Sequence, residues 1–251
     1  MLKLYHSWNS ANSRKVRQSL AEKRLNWVSH HVDLLGKRDN LKPWYAKLNP
    51  NNEVPTLVHE GRIVIESNVI LEYLEDTFPQ VPLRPADTHE RALMRNWMDK
   101  AEHVLRRNLD RLSCSRALAP RQPVQLKETR RRQIMLIQNA ETRAEQLRRL
   151  EHRISMQEEE FAKARLAEAL DEMERALQVS PWLCGASFSL ADIAIAPYVE
   201  HFGESKLDSL TDRSARPAVG DWWARIQTRP GFALAYAFRK PKSERGEDHE
   251  R

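Results

Sequence analysis

Residues 49–68 read NPNNEVPTLVHEGRIVIESN, and this stretch predicts how the N-terminal part of the chain folds. Two short apolar runs flank a turn at Gly61, which predicts a β-hairpin, and a helix is expected to begin at Ser67. The step Val54-Pro55 leads into the hairpin, and a proline there donates no hydrogen bond to a sheet. A cis bond at Pro55 would turn the backbone N–H and C=O of Val54 toward an extended peptide ligand.

The pair Glu66-Ser67 stands where the predicted helix begins. The unpaired N–H groups and partial positive charge of a helix N-terminus attract a carboxylate, and the Ser67 hydroxyl adds a donor. Glu66 would hold an ammonium group beside that carboxylate. Together they predict a site for an α-amino acid head group. The alternative is that Glu66-Ser67 only begins a helix and Val54-Pro55 only shapes a turn.

The elements on either side of the hairpin indicate a small domain of helices packed against a mixed sheet. The predicted order is β-α-β-α-β-β-α, with strands at residues 3–6, 26–33, 56–58 and 63–65 and helices from Ser13, Pro43 and Ser67. The apolar side chains that the last of these helices is expected to bury are Val69, Ile70, Tyr73 and Leu74.

The rest of the chain, after a proline-rich break, is predicted to be helical. The helical stretches are 89–111, 126–177, 190–202 and 219–228, and the second is long enough for two helices. Ser189 and Asp192 resemble a capping box that opens the third stretch, with Asp in place of Glu. We therefore predict an α/β domain followed by an all-α domain: residues 1–80, a linker at 81–88, helices at 89–238 and a charged tail at 239–251.

Composition and charge exclude several classes of protein. No apolar run reaches membrane-spanning length and no signal-peptide pattern is present. We therefore expect a cytoplasmic protein that does not associate with a membrane. Cys114 and Cys184 are far apart and form no metal-binding pattern. Residues 116–153 hold ten basic and four acidic residues, which equals the +6 net charge of the chain. They contain no Phe, Trp or Tyr to stack on bases, so a solvated helix face is favoured and nucleic acid is not expected as a partner.

Several of these residues together resemble the cytosolic glutathione S-transferase family. They are the loop and helix start at 10–17, Asn49-Pro50, Val54-Pro55, Glu66-Ser67, Tyr73-Leu74 and the Ser189–Asp192 box. The resemblance implies a thioredoxin-like N-terminal domain and a helical-bundle C-terminal domain. It also implies glutathione as co-substrate, a hydrophobic small molecule as second substrate, and a homodimer.

Two branches of the family are suggested. Ala11-Asn12-Ser13, together with residues 83–87 and 91–97, is similar to the bacterial β-etherases, which cleave aryl ethers with glutathione. Pro43-Trp44, Leu48-Asn49 and Glu53-Val54-Pro55, together with the long charged helical segment, resemble the ganglioside-induced differentiation-associated proteins.

Thiol acidity assigns roles to the loop before the first helix. A thiol with a pKa of about 8.5 is only about 3% thiolate at pH 7, and a hydroxyl donor at a helix N-terminus stabilises the thiolate. By resemblance, Ser10 stands where serine-type transferases carry that hydroxyl, and Asn12 and Ser13 are the alternatives. A third interpretation is that Ser10 to Ser13 only cap the first helix.

The chain departs from the usual transferase pattern at Asn52-Glu53, where many relatives have Gly followed by Lys or Gln. Asn52 can adopt the left-handed conformation that Gly would use. Glu53 places an anion near the expected tripeptide, for which Lys37, Arg38 or Lys42 would have to compensate. Two functions follow: a glutathione transferase that attacks a hydrophobic electrophile or aryl ether, or a non-catalytic binding or regulatory protein. The first is favoured.

Overall fold

The computed structural model describes residues 1–117, 124–151, 154–204, 207, 210 and 212–238. By packing, the chain divides into two units, one formed by Met1–Val81 with the described part of Thr228–Arg251 and the other by Pro82–Gln227. The boundaries predicted from the sequence stay a prediction, and the predicted tail at 239–251 lies outside the described residues.

The first unit is built on a four-stranded mixed sheet. Its strands are β1 (Leu2–His6), β2 (Trp27–His31), β3 (Thr56–His59) and β4 (Arg62–Val64), in the order β2-β1-β3-β4. The β1–β2 pair is parallel, and the β1–β3 and β3–β4 pairs are antiparallel. Leu4 therefore pairs with Ser29 on one side and with Leu57 on the other.

The described part of the first unit contains four helices, and the first and third of them along the chain bury the apolar face of the sheet. The four are α1 (Ala11–Glu22), α2 (Pro43–Ala46), α3 (Ser67–Thr77) and, from the end of the chain, α11 (Pro230–Tyr236), with a 3₁₀ turn at Asp39–Leu41. The core contains Leu2, Leu4, Val16, Leu20, Leu57, Ile70 and Leu74. Alternate strand residues and helix residues four apart supply it, as the two periodicities require. Val69, which was expected to be buried, is 55% exposed.

The second unit is helical. It contains α4 (Thr88–Lys100), a π-helical turn (Ala101–Arg106), α5 (Arg107–Ala117), α6 (Val124–Ile134), α7 (Ala140–Glu151), α8 (Met156–Val179), α9 (Leu190–Glu204) and α10 (Pro217–Gln227). Residues 126–177 thus belong to three helices, where two were expected. Asn139 accepts a hydrogen bond from the N–H of Thr142, and Ser155 forms a reciprocal capping box with Glu158, so each break begins a new helix.

Asp192 lies fully buried at the start of α9 and confirms the predicted box. Its carboxylate accepts hydrogen bonds from the N–H and hydroxyl of Ser189, the N–H of Leu183 and Nε1 of Trp222. Burial raises the pKa of Asp192, against the effect of these donors. The α/β plus all-α prediction is confirmed. No helix within the described ranges is long and apolar enough to cross a membrane.

Candidate functional site

The loop between β1 and α1 presents Ser10 at a helix N-terminus. Ser10 is the N-cap of α1, and its Oγ accepts a hydrogen bond from the N–H of Ser13 at 3.2 Å. Its carbonyl accepts from the N–H of Arg14 at 2.9 Å. A serine hydroxyl that accepts a hydrogen bond still has its own proton to donate. Ser10 is half-buried, so that proton and the helix N-terminus can act together on a sulfur atom.

The two alternatives, Ser13 and Asn12, occupy different surroundings. Ser13 is fully buried, and its Oγ accepts a hydrogen bond from the N–H of Ser7 at 3.3 Å. Its hydroxyl therefore closes the loop from inside. Asn12 is half-buried in the first turn of α1 and interacts with other protein groups. The geometry favours Ser10 as the residue that contacts a thiol, and the assignment stays a prediction.

A buried arginine that the sequence did not single out fixes the same loop. Arg17 is 1% exposed. Its guanidinium donates to the carbonyls of Ser7 at 2.8 Å, Trp8 at 3.1 Å and Ala235 at 2.8 Å, and to Nδ1 of His6 at 3.0 Å. In the sequence, Arg17 is one of three basic residues in the first two turns of a helix, a pattern that ordinarily indicates a solvated face. Its burial has no sequence signal.

His6 lies beneath this loop as a neutral imidazole. Because an arginine can only donate, Nδ1 of His6 accepts from Arg17, and the ring proton lies on Nε2, which donates to Oγ of Ser29 at 2.8 Å. Burial first, and then the Arg17 charge, lowers the pKa of His6 to about 3. The imidazole is therefore a structural group and is not a base for catalysis at neutral pH.

The backbone before β3 is held in one conformation. The Val54–Pro55 peptide bond is cis, and Asn52 has a φ of 57°, which confirms the predicted left-handed conformation. The Glu53 carbonyl accepts hydrogen bonds from the Tyr45 hydroxyl at 2.7 Å and from Nδ2 of Asn49 at 2.8 Å. Sheet pairing begins only at Thr56. Val54 therefore lies just outside the sheet ladder, where its backbone groups can meet a peptide.

Glu66 and Ser67 stand at the start of α3, as predicted. Glu66 has a φ of 66°, in the left-handed region that costs a non-glycine residue about 1–3 kcal/mol and that often marks a functional site. Its exposed carboxylate accepts a hydrogen bond from Nδ2 of Asn51 at 3.0 Å. Ser67 is 6% exposed in the first turn of α3. A carboxylate beside a helix N-terminus suits a ligand with an ammonium and a carboxylate on one carbon.

Of the cations that might offset Glu53, Lys42 is paired with a neighbour. Its Nζ lies 2.5 Å from Oδ1 of Asp39, so part of its charge is already balanced. Lys37 is exposed, and its N–H donates to the Asp33 carboxylate at 2.7 Å. Arg38 has a φ of 48° and interacts with other protein groups. Compensation of Glu53 by Lys37, Arg38 or Lys42 stays a prediction.

Family models match both parts of the chain. The model "Glutathione S-transferase, N-terminal domain" matches residues 4–82, and the model "Glutathione S-transferase, C-terminal domain" matches residues 126–230. These ranges include every predicted site residue.

Individual relatives agree with the family models. Protein LigF of Sphingobium sp. (strain NBRC 103272 / SYK-6) is 32% identical over 97% of this chain and 95% of its own. Maleylacetoacetate isomerase of Dictyostelium discoideum is 42% identical, but over only 38% of this chain and 44% of its own.

Solved structures give the same result. The crystal structure of β-etherase LigF has a TM-score of 0.84 and 26% identity, over 94% of this chain and 98% of that chain. A glutathione transferase from Burkholderia graminis has a TM-score of 0.73 at 24% identity, over 95% and 88% of the two chains, and its fold is therefore the same. That structure holds two glutathione molecules per subunit. The resemblance to this family and to the β-etherases is confirmed.

Proposed function

Because this chain belongs to the glutathione S-transferase family, we propose that it is a glutathione-dependent β-etherase that cleaves aryl ethers of hydrophobic substrates. The chain is a glutathione transferase-like enzyme with glutathione as co-substrate, so the non-catalytic alternative is disfavoured. The proposal that the substrate is an aryl ether rests on the similarity to LigF over nearly the full length of the chain.

Four groups of the first unit are proposed to bind glutathione. The α-carboxylate of the γ-glutamyl residue binds the Ser67 hydroxyl and the N-terminal amides of α3, and its ammonium binds Glu66. The backbone of Val54, next to Pro55, pairs with the cysteinyl residue. The positive φ of Glu66 and its contact with Asn51 support this arrangement, because both hold the carboxylate beside the helix start.

Ser10 is proposed to activate the thiol. Its Oγ accepts a hydrogen bond from the N–H of Ser13, and its hydroxyl proton is proposed to donate to the sulfur. The N-terminus of α1 adds a partial positive charge. Lowering the thiol pKa by about two units makes the thiolate the major form at pH 7. The thiol proton passes to solvent.

The ether reaction then follows from the nucleophile. The thiolate sulfur attacks the carbon that carries the aryl ether oxygen, so that a carbon–sulfur bond forms and the carbon–oxygen bond breaks. The aryloxide leaves with the bonding electron pair and takes a proton from water. One glutathione and one ether therefore give one thioether and one phenol, with no oxidant or reductant.

Two further properties belong to the proposal. We place the enzyme in the cytoplasm, and we propose a homodimer. The exposed apolar side chains Ile63 on β4, at the edge of the sheet, and Val69 on α3 support an association, since they are 46% and 55% exposed. Light scattering on the purified protein tests the dimer, and Val69→Glu is expected to weaken it.

The deciding experiment offers the purified enzyme glutathione and a β-aryl ether with a fluorescent phenol as leaving group. We expect phenol and glutathione thioether in equal amounts, and neither product without glutathione. A chloronitrobenzene serves as a general electrophile in parallel. Thioether from the halide but none from a panel of ethers would reject the ether substrate and keep the transferase. No product from either, with no glutathione binding, would reject the whole proposal.

A further inference from the structure

The end of the described chain packs along α1 in the first unit. We call residues 229–238 the C-terminal strap. At its start, Arg229 makes two hydrogen bonds with the Glu22 carboxylate, at 2.8 and 2.7 Å, near the end of α1. Gly231 lies against the same side chain, because a Cβ at Gly231 would come within 2.5 Å of it. The strap therefore begins beside the C-terminal turn of α1.

The strap then runs toward the N-terminal half of α1 and contacts two arginines. The Arg14 guanidinium lies 5.0 Å from the ring centre of Tyr236, and that of Arg17 lies 4.8 Å from the ring centre of Phe238. Phe238 also meets the His6 ring edge-on at 4.9 Å and packs on Trp27 at 5.8 Å. The Phe238 ring of the strap thus packs on the Arg17 guanidinium and on two side chains of the sheet, His6 and Trp27.

The hydrogen bonds of Arg17 join this strap to the loop that carries Ser10. Nε donates to the Ala235 carbonyl of the strap, and the two terminal nitrogens donate to the Ser7 and Trp8 carbonyls. Ser7 in turn accepts from the N–H of Ser10 at 3.4 Å. One rigid guanidinium therefore ties three backbone carbonyls together, which a lysine ammonium cannot do with the same geometry.

We infer that Arg17 is a positioning residue for Ser10, and that the C-terminal strap completes the site by holding Arg17 in place. This inference rests on the proposed function. A thiol is activated only when the donor lies within hydrogen-bond distance of the sulfur, and a displacement of about 1 Å costs about 100-fold in rate. The loop between β1 and α1 has no sheet pairing of its own, so Arg17 and the strap hold Ser10 in place together with the hydrogen bond from the N–H of Ser7 to Ser13.

The test uses three variants of the full chain. Arg17→Lys keeps the positive charge but removes the planar guanidinium that donates to three carbonyls. Phe238→Leu keeps an apolar side chain but removes the aromatic ring that contacts the Arg17 cation. Arg225→Lys is the matched control, since Arg225 also donates to a backbone carbonyl, that of Pro181, and lies 5.6 Å from a ring centre, that of Trp182. It belongs to the other unit.

The first measurement is hydrogen exchange of the ligand-free protein. The amides of Ser10, Ser13 and Arg14 are bonded within the loop and the first turn of α1, so their exchange reports how firmly the loop is held. We expect exchange to be about tenfold faster in Arg17→Lys and Phe238→Leu and unchanged in Arg225→Lys. Unchanged exchange in both test variants would overturn the inference, whatever glutathione does.

The second measurement is the titration of bound glutathione together with steady-state kinetics. In the two test variants we expect the pKa of the bound thiol to rise by about one unit and kcat at pH 7 to fall about tenfold, with KM for glutathione changed by less than about threefold. If kcat and the melting temperature fall and KM rises while the thiol pKa stays unchanged, Arg17 has a purely structural role and the inference is wrong. If the wild-type enzyme does not lower the pKa of the bound thiol, the proposed function is wrong. The exchange rates then serve as the only test of whether Arg17 and the strap position the loop.

Discussion

Nη1 of Arg17 lies 3.0 Å from Nδ1 of His6, so a group that can only donate holds a buried imidazole in its neutral form. Burial and this charge lower the pKa of His6 from 6.5 to about 3. The folded state therefore binds fewer protons than the unfolded state between these two values. Stability from His6 is present above pH 6.5 and is lost as the pH falls toward 3.

Replacing His6 with Asn should therefore flatten the acid side of the stability profile, because the Asn side-chain oxygen can still accept from Arg17 and does not titrate. Between pH 8 and pH 5 the wild type is expected to lose about 2 kcal/mol more unfolding free energy than His6→Asn. Urea unfolding at both pH values measures this difference. Equal losses in the two proteins would contradict the neutral assignment of His6.

Ser10→Ala should separate thiol activation from helix capping. The bound thiol pKa is expected to rise by about 1–2 units, because the donor to the sulfur is lost, whereas the lost cap costs only about 1 kcal/mol of unfolding free energy. Absorbance of the thiolate against pH at saturating glutathione gives the pKa. Ser10→Thr, which keeps the hydroxyl, is the control. If the bound thiol pKa in Ser10→Ala equals that of the wild type, and the pKa in Ser13→Ala is raised, then Ser13 and not Ser10 activates the thiol.

Glu66→Gln should weaken glutathione binding and spare the thiol. Loss of the charge that faces the ammonium is expected to raise the dissociation constant of glutathione about 10-fold, the equivalent of about 1.4 kcal/mol, with little change in the bound thiol pKa. Calorimetric titration with glutathione provides the dissociation constant. Glu60→Gln alters a second exposed carboxylate in the hairpin turn and should bind like the wild type. Equal weakening in both variants would indicate a general charge effect.

The buried ion pair between Lys23 and Glu75 should be a large determinant of stability in the first unit. Their charged atoms lie 2.6 Å apart with 1% and 3% of the side chains exposed, and the ammonium also donates to the Phe78 and Val81 carbonyls. Glu75→Gln leaves that ammonium without its counter-charge and is expected to cost about 3–5 kcal/mol.

The matched control for Glu75→Gln is Glu168→Gln, which removes one partner of an exposed pair with Arg165 and should cost less than about 1 kcal/mol. Thermal unfolding of both variants gives the comparison. Similar melting temperatures would show that burial of the Lys23–Glu75 pair is unimportant.

Asp192→Ala should destabilise the second unit strongly. Four donors converge on this carboxylate. Without it these donors stay buried with no acceptor, which is expected to lower the unfolding free energy by about 3 kcal/mol or more. Ser155→Ala, at the exposed capping box of α8, should cost only about 1 kcal/mol. Denaturant unfolding of the two variants tests the difference, and comparable costs would mean that burial adds nothing to the Asp192 box.

Several local features of the chain were predictable from sequence. The hairpin at residues 56–64, the left-handed Asn52, the helix start at Ser67 and the box at Asp192 all depend on residues within a few positions of each other. The first helix begins at Ala11, before the predicted Ser13, because Ser10 is its N-cap. Turn and cap chemistry is short-ranged, so a single sequence carries it. The third helix within residues 126–177 was missed because periodicity alone does not reveal where a polar helix breaks.

The sequence by itself determined the order of the strands and helices within residues 1–77, the membership in the family and the positions of the serines and carboxylates at helix starts. The tertiary structure alone decided that Ser13 is buried while Ser10 is half-exposed, that His6 is neutral, and that Arg17 lies inside the first unit. The contact between Arg17 and Ala235 joins residues 218 positions apart. Backbone conformation depends on neighbours in the chain, whereas burial and the pKa depend on residues that only folding brings together.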